Sequence, residues 1–309
     1  MQQLIDPIDR TLLKKELNEA RFIRNTNNGN NKIYIITHHD SPNVMLEIGR
    51  LREVTFRAAG GGTGKACDID HFDTDPVCYK QLLVWNEEEE EIVGGYRFIR
   101  CGDVLDYNKQ EAKLATSGLF NFSPEFVKEY MPNTVELGRS FVQPKFQPGN
   151  DSRKGLFALD NIWDGLGSIV VDNPDIKYFF GKVTMYLDFN QEARDMILYF
   201  LKTFFPDKDN LMKPFNEQKI NTPIEKLEQM FKGLDYKEAF KTLNTNVRAL
   251  GENIPPLVNI YMNLSPTMKT FGTALNKSFG AVEETGIMVT IDDIYPAKKE
   301  RHISTYIKN

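Results

Sequence analysis

The stretch FVKEYMPNTVELGRSFVQP, residues 126–144, combines two secondary-structure patterns. Its first part is typical of the end of a helix, and its second part predicts a strand from about Val135 to Val142. That strand carries two charged residues, Glu136 and Arg139. The elements on either side of it indicate which kind of sheet it joins.

Short apolar and β-branched runs predict further strands, at 31–39, 79–86, 91–100, 176–187 and within 283–296. Apolar residues at helical spacing predict helices over 41–59, 154–173 and most of 189–250. The charge run at 87–91 is typical of a solvated turn between two strands. The order is strand, helix, three strands, helix, strand, and the middle three strands form a meander. This order predicts an α/β (α+β) fold with a mixed sheet and helices packed against it.

The composition is that of an ordinary soluble globular protein, with 309 residues, 41% hydrophobic and 26% charged. A formal net charge of −5 argues against nucleic acid as the main partner. No apolar run approaches the roughly 20 residues that span a bilayer. Three cysteines without metal spacing suit a reducing cytoplasm, and four scattered histidines do not predict a metal site. We therefore expect a cytoplasmic protein, which leaves peripheral contact with a membrane open.

The run GGGTGK, residues 60–65, resembles a nucleotide-binding phosphate loop but fails its pattern. With Gly64 and Lys65 fixed, Ala59 replaces the first glycine and Ala66 replaces the hydroxyl that binds magnesium. The segment before it also predicts a helix rather than a strand. We expect no ATP or GTP binding there, and we interpret 59–67 as a mobile cover that orders with substrate.

Four motifs in order resemble one branch of the GNAT acyltransferase fold. They are LREVTF with Arg52 and Phe56, DIDHFD with Asp70 and Asp73, GGYRF with Arg97, and ELGR with Glu136 and Arg139. The branch contains acyl-homoserine-lactone synthases and the ornithine- and glycine-lipid N-acyltransferases of the hemolysin-like group. The patterns ELGRSFVQP, GLFALDNIWDGL and PPLVNIYMNL are more similar to the lipid-forming enzymes.

The resemblance implies a single GNAT-like domain over 1–309, with a mostly antiparallel sheet and a helical insertion at 189–250. It also implies N-acyl transfer, in aminolipid synthesis, from an acyl carrier protein thioester to a small amino acid. Glycine or ornithine would be the acceptor, and a 3-hydroxy fatty acyl group the cargo. One alternative is an acyl-homoserine-lactone synthase that uses S-adenosylmethionine. The other is a non-catalytic module of the same fold that binds lipid or carrier.

Transfer of an acyl group from a thioester to an amine requires a proton acceptor and donors to the oxyanion. Glu136, on a strand facing a cleft, is the candidate base, directly or through one water, and burial would raise its pKa toward neutrality. The alternative is a structural ion pair with Arg139 or Arg97. By resemblance, backbone N–H groups around Phe141 and Val142 would bind the phosphopantetheine arm and the oxyanion.

A phosphate site is predicted where PGNDSRKGLFAL begins a helix, at Arg153, Lys154 and Gly155. Asp151 and Ser152 stand where the family usually has glycines. A carrier protein bears a single phosphodiester, so this reduced set of donors favours acyl carrier protein over coenzyme A. The alternative is a charged helix cap at the surface.

Three arginines and three aspartates remain to be placed. Arg52, Arg97 and Arg139 can form interlinked ion pairs with Asp68, Asp70 and Asp73. An arginine of this set could also hold the carboxylate of an amino-acid acceptor. The resemblance gives catalytic status to Asp70, Asp73, Arg97 and Arg139, and substrate contact to Arg52 and Phe56, without separating scaffold from substrate contact.

Overall fold

An eight-stranded sheet organises the computed structural model, which describes residues 1–106, 108–109, 111–147 and 157–308. The strands are β1 Phe22–Asn25, β2 Asn31–Ile36, β3 Lys80–Asn86, β4 Glu91–Arg100, β5 Leu105–Asp106, β6 Glu111–Ala112, β7 Phe120–Phe122, β8 Thr134–Val142, β9 Tyr178–Met185, β10 Met212–Pro214, β11 Lys269–Asn276 and β12 Val282–Thr290. The α-helices are α1 Arg10–Glu16, α2 Pro42–Ala58, α3 His71–Thr74, α4 Ala158–Asp172, α5 Gln191–Phe204, α6 Ile224–Phe231, α7 Tyr236–Ala249, α8 Pro256–Met262 and α9 Pro296–His302.

The large sheet has the order β1-β2-β3-β4-β8-β9-β12-β11. Its neighbours are antiparallel except for β8 and β9, which run parallel. Two two-stranded ladders, β7 with β10 and β5 with β6, lie outside it. The predicted fold class, a mixed and mostly antiparallel sheet flanked by helices, is confirmed.

Helices cover both faces of this sheet, and the alternating side chains of β3 pack against both layers. Leu83 belongs to the apolar cluster on the α2 side, together with Val44 and Ile48 of that helix. Leu82 belongs to the cluster on the opposite side, with Leu166 of α4. Successive residues of a strand point to opposite faces, so this central strand supports two layers of helices. No helix in the described part of the chain is long and apolar enough to cross a membrane.

The parallel pair β8–β9 separates partway along its length. Pairing runs from Thr134–Tyr178 to Leu137–Gly181 and stops there, while β8 continues to Val142. On its other edge, β8 places two residues, Arg139 and Ser140, opposite one residue of β4. Such a bulge bends the strand and increases its twist. The sheet therefore opens between the second halves of β8 and β9.

Helices α5, α6 and α7 lie within 189–250, as predicted, and the short strand β10 lies there as well. Phe200, Leu243 and Val247 of these helices share the apolar cluster that contains Leu166 of α4. Strands β1 and β11 and helix α8 are among the elements that were not predicted. That 1–309 forms a single domain with an insertion at 189–250 stays a prediction.

Candidate active site

A cavity of about 590 Å³ lies in the gap between β8 and β9. Its walls are mainly apolar, with a few polar groups at the strands, as is typical of binding sites for organic ligands. Its lining comes from several elements. It includes Phe56 and Ala59 at the end of α2, Gly138 to Val142 of β8, Phe146, Leu159 of α4, Lys182 and Thr184 of β9, Leu257 of α8, Phe279, and Glu284 of β12. The opening in the sheet therefore forms the candidate site.

The backbone of β8 presents donors to this gap. The N–H of Gln143 donates to the Val93 carbonyl at 3.0 Å, on the β4 side. In an antiparallel ladder the N–H direction alternates along the strand, so the N–H of Val142 points away from β4, where β8 has no partner strand. By the same alternation, the N–H of Phe141 points toward Gly95 of β4. Of the two predicted donors, Val142 is the one that faces the gap.

Glu136 is 1% exposed and lies in the closed part of the sheet, where it pairs with Ile99 and Phe180 on the neighbouring strands. Its carboxylate accepts a hydrogen bond from the Thr116 hydroxyl at 2.8 Å. Burial raises the pKa of Glu136 to about 7, against the lowering effect of that hydrogen bond. Neither Arg97 nor Arg139 donates a hydrogen bond to it within the described residues.

The sequence interpretation placed Glu136 facing a cleft, and this needs correction. The cavity is lined by the residues that follow it on β8, from Gly138 onward, and not by Glu136 itself. The reason is that β9 still pairs with β8 at this level, so the side chain lies behind the point where the strands separate.

Three arginines meet three aspartates on the α2 side of the sheet. The N–O distances are 3.4 Å for Arg52–Asp73, 2.9 Å for Arg97–Asp70, 3.3 Å for Arg97–Asp73, 2.8 Å for Arg139–Asp68 and 3.8 Å for Arg139–Asp70. The predicted interlinked ion pairs are therefore confirmed. They join helix α2, the segment around α3, and strands β4 and β8.

Asp73 is the centre of this network and is fully buried. Burial would raise the pKa of its carboxyl, but Arg52 and Arg97 outweigh burial and lower that pKa to about 2. Burial likewise would lower the pKa of Arg97, and Asp73 and Asp70 instead raise it. Gln81 completes the network, since its amide donates to Asp73 at 3.0 Å and its oxygen accepts from Arg52 at 2.5 Å. Gln81 was not predicted, because a lone glutamine in an apolar strand gives no signal of its own.

Arg139 is the network member that also lines the cavity. It has a φ of 49°, a left-handed conformation that is strained for a non-glycine residue and coincides with the bulge of β8. Its Nε and Nη2 both donate to Asp68, at 2.8 and 3.3 Å, and its guanidinium lies 4.2 Å from the Phe279 ring centre. Asp68 thus holds this arginine at the mouth of the gap.

The two other predicted substrate contacts, Phe56 and Arg52, differ in their position relative to the cavity. Phe56 lines the cavity and packs edge-on against Phe279, with ring centres 5.0 Å apart. Arg52 is fully buried, bonded to Asp73 and Gln81, and does not line that cavity. The predicted phosphate site at Arg153, Lys154 and Gly155 lies outside the described residues.

A buried ion pair at the gap, between Lys182 of β9 and Glu284 of β12, was not predicted. Both residues line the cavity. Burial lowers the pKa of Lys182, and Glu284 opposes that effect. The available signal was a lysine inside 176–187, a segment predicted as a buried strand, because a buried charge needs a partner.

The glycine-rich loop that follows α2 is organised by a carboxylate. Gly60, Gly62 and Gly64 have left-handed φ angles between 75° and 95°. Glu53, fully buried, accepts the N–H of Thr63 at 2.7 Å and the Nε of Arg57 at 2.6 Å. A carboxylate at the loop's donors repels an anion, which disfavours phosphate there. Among the residues that the structure describes, no group of three or more His, Cys, Asp or Glu side chains is arranged to hold a metal ion.

Comparison with known proteins gives two kinds of match. Residues 51–153 match the model of the acetyltransferase (GNAT) domain. Two curated relatives, each named glycine N(alpha)-acyltransferase, come from Bacteroides thetaiotaomicron and Phocaeicola vulgatus. Each is 55% identical over 309 residues, which is all of this chain and 92% and 94% of theirs.

Among solved structures, the acyl-homoserine-lactone synthase LasI matches 50% of this chain and 72% of its own, at 16% identity and a TM-score of 0.33. Similarity at that level carries no argument about substrate.

Proposed function

The chain belongs to the family of the glycine Nα-acyltransferases and is a GNAT-fold acyltransferase, and from this premise we propose that it transfers a fatty acyl group from a thioester to the amine of glycine. The product is an N-acylglycine, an amphiphile of the aminolipid class. The observation that carries the proposal is the mainly apolar cavity that opens at the bulge of β8.

That cavity suits an acyl thioester for physical reasons. Phe56, Phe146, Leu159 and Leu257 supply an apolar surface for the acyl chain. The Val142 N–H faces the place where β8 loses its partner strand, and a fixed backbone donor stabilises an oxyanion without reorganisation. The thioester carbonyl would therefore lie beside β8, with the chain extending between α2 and α4.

Glu136 is the proposed proton acceptor, acting through a water because its side chain lies behind the open gap. The amine nitrogen attacks the thioester carbon and loses one proton, through the water, to Glu136. The C–S bond then breaks, and Glu136 returns that proton to the sulfur, so that the free thiol leaves and the carboxylate is regenerated. A carboxyl with a pKa of about 7 is well matched to this role near neutral pH.

The acyl donor proposed is a 3-hydroxyacyl carrier protein, with the acyl group on its phosphopantetheine arm. This rests on the resemblance of the four motifs and on the reduced phosphate site that the sequence predicts at 153–155. Acyl-coenzyme A is the competing donor. Glycine is favoured over ornithine as the acceptor because the 55% identical relatives carry glycine in their names.

The experiment is transfer of a labelled 3-hydroxyacyl group by the purified protein to glycine, ornithine and S-adenosylmethionine, with carrier-protein and coenzyme A donors. We expect acylglycine with the carrier-protein donor. Glu136→Gln keeps the shape of the side chain and should lower kcat about 100-fold or more. The matched control is Glu90→Gln, which removes one partner of an exposed ion pair with Lys14.

Three outcomes would count against the proposal. Full activity of Glu136→Gln at saturating substrate would make Glu136 a scaffold residue. Lactone formation from S-adenosylmethionine would show that this compound, and not glycine, is the acceptor. A wild-type protein that acylates no amine would be a binding module.

A further inference from the structure

Lys182 and Glu284 form a charged pair in the gap that the proposed chemistry does not use. Their side chains are 9% and 3% exposed, and both lie on the wall of the cavity. They come from neighbouring antiparallel strands, where Glu284 is paired in register with Thr184. Burying two charges costs several kcal/mol per ion before their attraction repays it. A buried ion pair on the wall of a cavity is therefore a candidate for ligand binding.

The pair is only half satisfied within the described residues. Oε2 of Glu284 accepts both from the Lys182 ammonium and from the Asn276 amide, the latter at 2.9 Å. Oε1 of Glu284 accepts no hydrogen bond in that part of the chain. A lysine ammonium has three N–H donors, and Lys182 uses one of them there. One carboxylate oxygen and two ammonium protons are therefore available to a ligand.

The arginines near the gap are less available than this lysine. Arg139 shares the cavity wall, but its Nε and Nη2 are both engaged by Asp68. Arg52 and Arg97 are buried and are held by Asp73 and Asp70. An incoming carboxylate would have to displace an aspartate from Arg52 or Arg97, whereas Arg139 keeps N–H donors that Asp68 does not engage. Lys182 can accept a carboxylate without breaking its existing bond.

We propose that Lys182 and Glu284 form the subsite for the amino-acid acceptor, an inference that rests on the proposed acyl transfer to glycine. The Lys182 ammonium binds the acceptor's carboxylate, and Oε1 of Glu284 accepts an N–H of its amine. A free amino acid presents one negative and one positive group close together, which complements this pair. The pair therefore selects small amines that carry a carboxylate and holds the nitrogen near the thioester at β8.

Lys182→Met is the main test, because methionine keeps the length and apolar stem of the side chain but removes the charge. We expect the KM for glycine to rise about tenfold or more, as for a lost hydrogen bond to a charged group. The KM for the acyl donor should not change. The wild type should prefer glycine over glycinamide, and the variant should lose that preference. Glu284→Gln should also raise the KM for glycine.

Two controls separate binding from folding. Lys226→Met removes the lysine of an exposed pair with Glu192 and should leave both KM values unchanged. If Lys182→Met does not fold, Lys182→Met/Glu284→Leu removes both charges and leaves no unpaired ion. Glycine should raise the unfolding temperature of the wild type, as a ligand of the native state does, and should not raise that of the double variant.

The outcomes distinguish this inference from the proposed function. Acylglycine synthesis with an unchanged KM for glycine in folded Lys182→Met overturns the subsite and leaves the function standing. Thermal stabilisation by glycine that requires Lys182, without acyl transfer, supports the subsite and overturns the function. A wild type that neither acylates glycine nor gains stability from it overturns both.

Discussion

At the scale of single residues, burial decides what Glu136 can do. Its side chain is buried, and the Thr116 hydroxyl donates to its carboxylate at 2.8 Å. Asp73 is equally buried, but two arginines keep it ionised with a pKa of about 2. Two carboxyls on the same side of one sheet thus titrate far apart, with pKa values of about 2 and about 7, because one has two arginine partners and the other is buried beside a hydroxyl.

This difference predicts how stability depends on pH. The pKa of Glu136 rises from 4.5 to about 7 on folding, so the native state binds more protons than the unfolded state in that interval. The contribution to stability is present below 4.5 and is lost as pH rises through about 7. The shift corresponds to about 3 kcal/mol, and Glu136→Gln should remove it.

Urea unfolding of wild type and Glu136→Gln at about pH 4 and about pH 8 provides the measurement. From about pH 4 to about pH 8, the free energy of unfolding of the variant should rise by about 3 kcal/mol relative to that of the wild type. A difference between the two proteins that does not depend on pH would show that folding does not shift the pKa of Glu136. Activity should show the opposite trend, with kcat/KM rising through about pH 7 as the base ionises.

At the scale of elements, those that depend on local sequence patterns could be predicted, and features that depend on contacts between distant parts of the chain could not. Helix α2 was predicted well because Pro42 lies in its first turn and its apolar residues follow the helical period. Strand β11 was missed because Gly272, with a φ of 82°, and a register shift between Thr270 and Thr273 break its alternation. The bulge at Arg139 leaves no mark in composition, since it depends on how β4 pairs with β8.

The contact of α4 with α9 gives a test at this scale. A Cβ added at Gly167 would lie 2.1 Å from the backbone oxygen of His302, and backbone cannot yield cheaply. Gly167→Ala should therefore destabilise the protein by about 1–3 kcal/mol, measured by thermal or urea unfolding. Gly118→Ala is the control, because a Cβ there meets nothing within 4 Å. Equal stability of the two variants would mean that α9 does not pack on α4 as described.

At the scale of the whole molecule, the candidate site lies between two apolar clusters. Among the residues that line it, Phe141 and Phe279 belong to the cluster under α2, and Phe146 and Ala158 belong to the one under α4. The arginine–aspartate network could be predicted because its members lie in or beside the short motifs that resemble the GNAT branch. Lys182 and Glu284 are 102 residues apart and meet only through the pairing of β9 with β12.

This arrangement predicts that the chain unfolds as one unit. The cluster under α4 joins Leu166 to Phe200 and Val247, so the helices of 189–250 bury their apolar faces on the same core as the sheet. The two tryptophans report different cores, since Trp85 lies in the α2 cluster and Trp163 in the α4 cluster.

Trp85→Phe and Trp163→Phe each leave one tryptophan, and its fluorescence can be compared with far-ultraviolet circular dichroism during urea unfolding. Helices α5 to α7 contribute 14, 8 and 14 residues, so their unfolding would remove a large part of the helical signal. We expect the fluorescence and the circular dichroism of each variant to have the same midpoint. The reason is that the helices and the sheet share one apolar core, which is lost when either of them unfolds. A helical signal lost before the fluorescence of Trp163 changes would show that 189–250 unfolds separately, and the single-domain prediction would then be wrong.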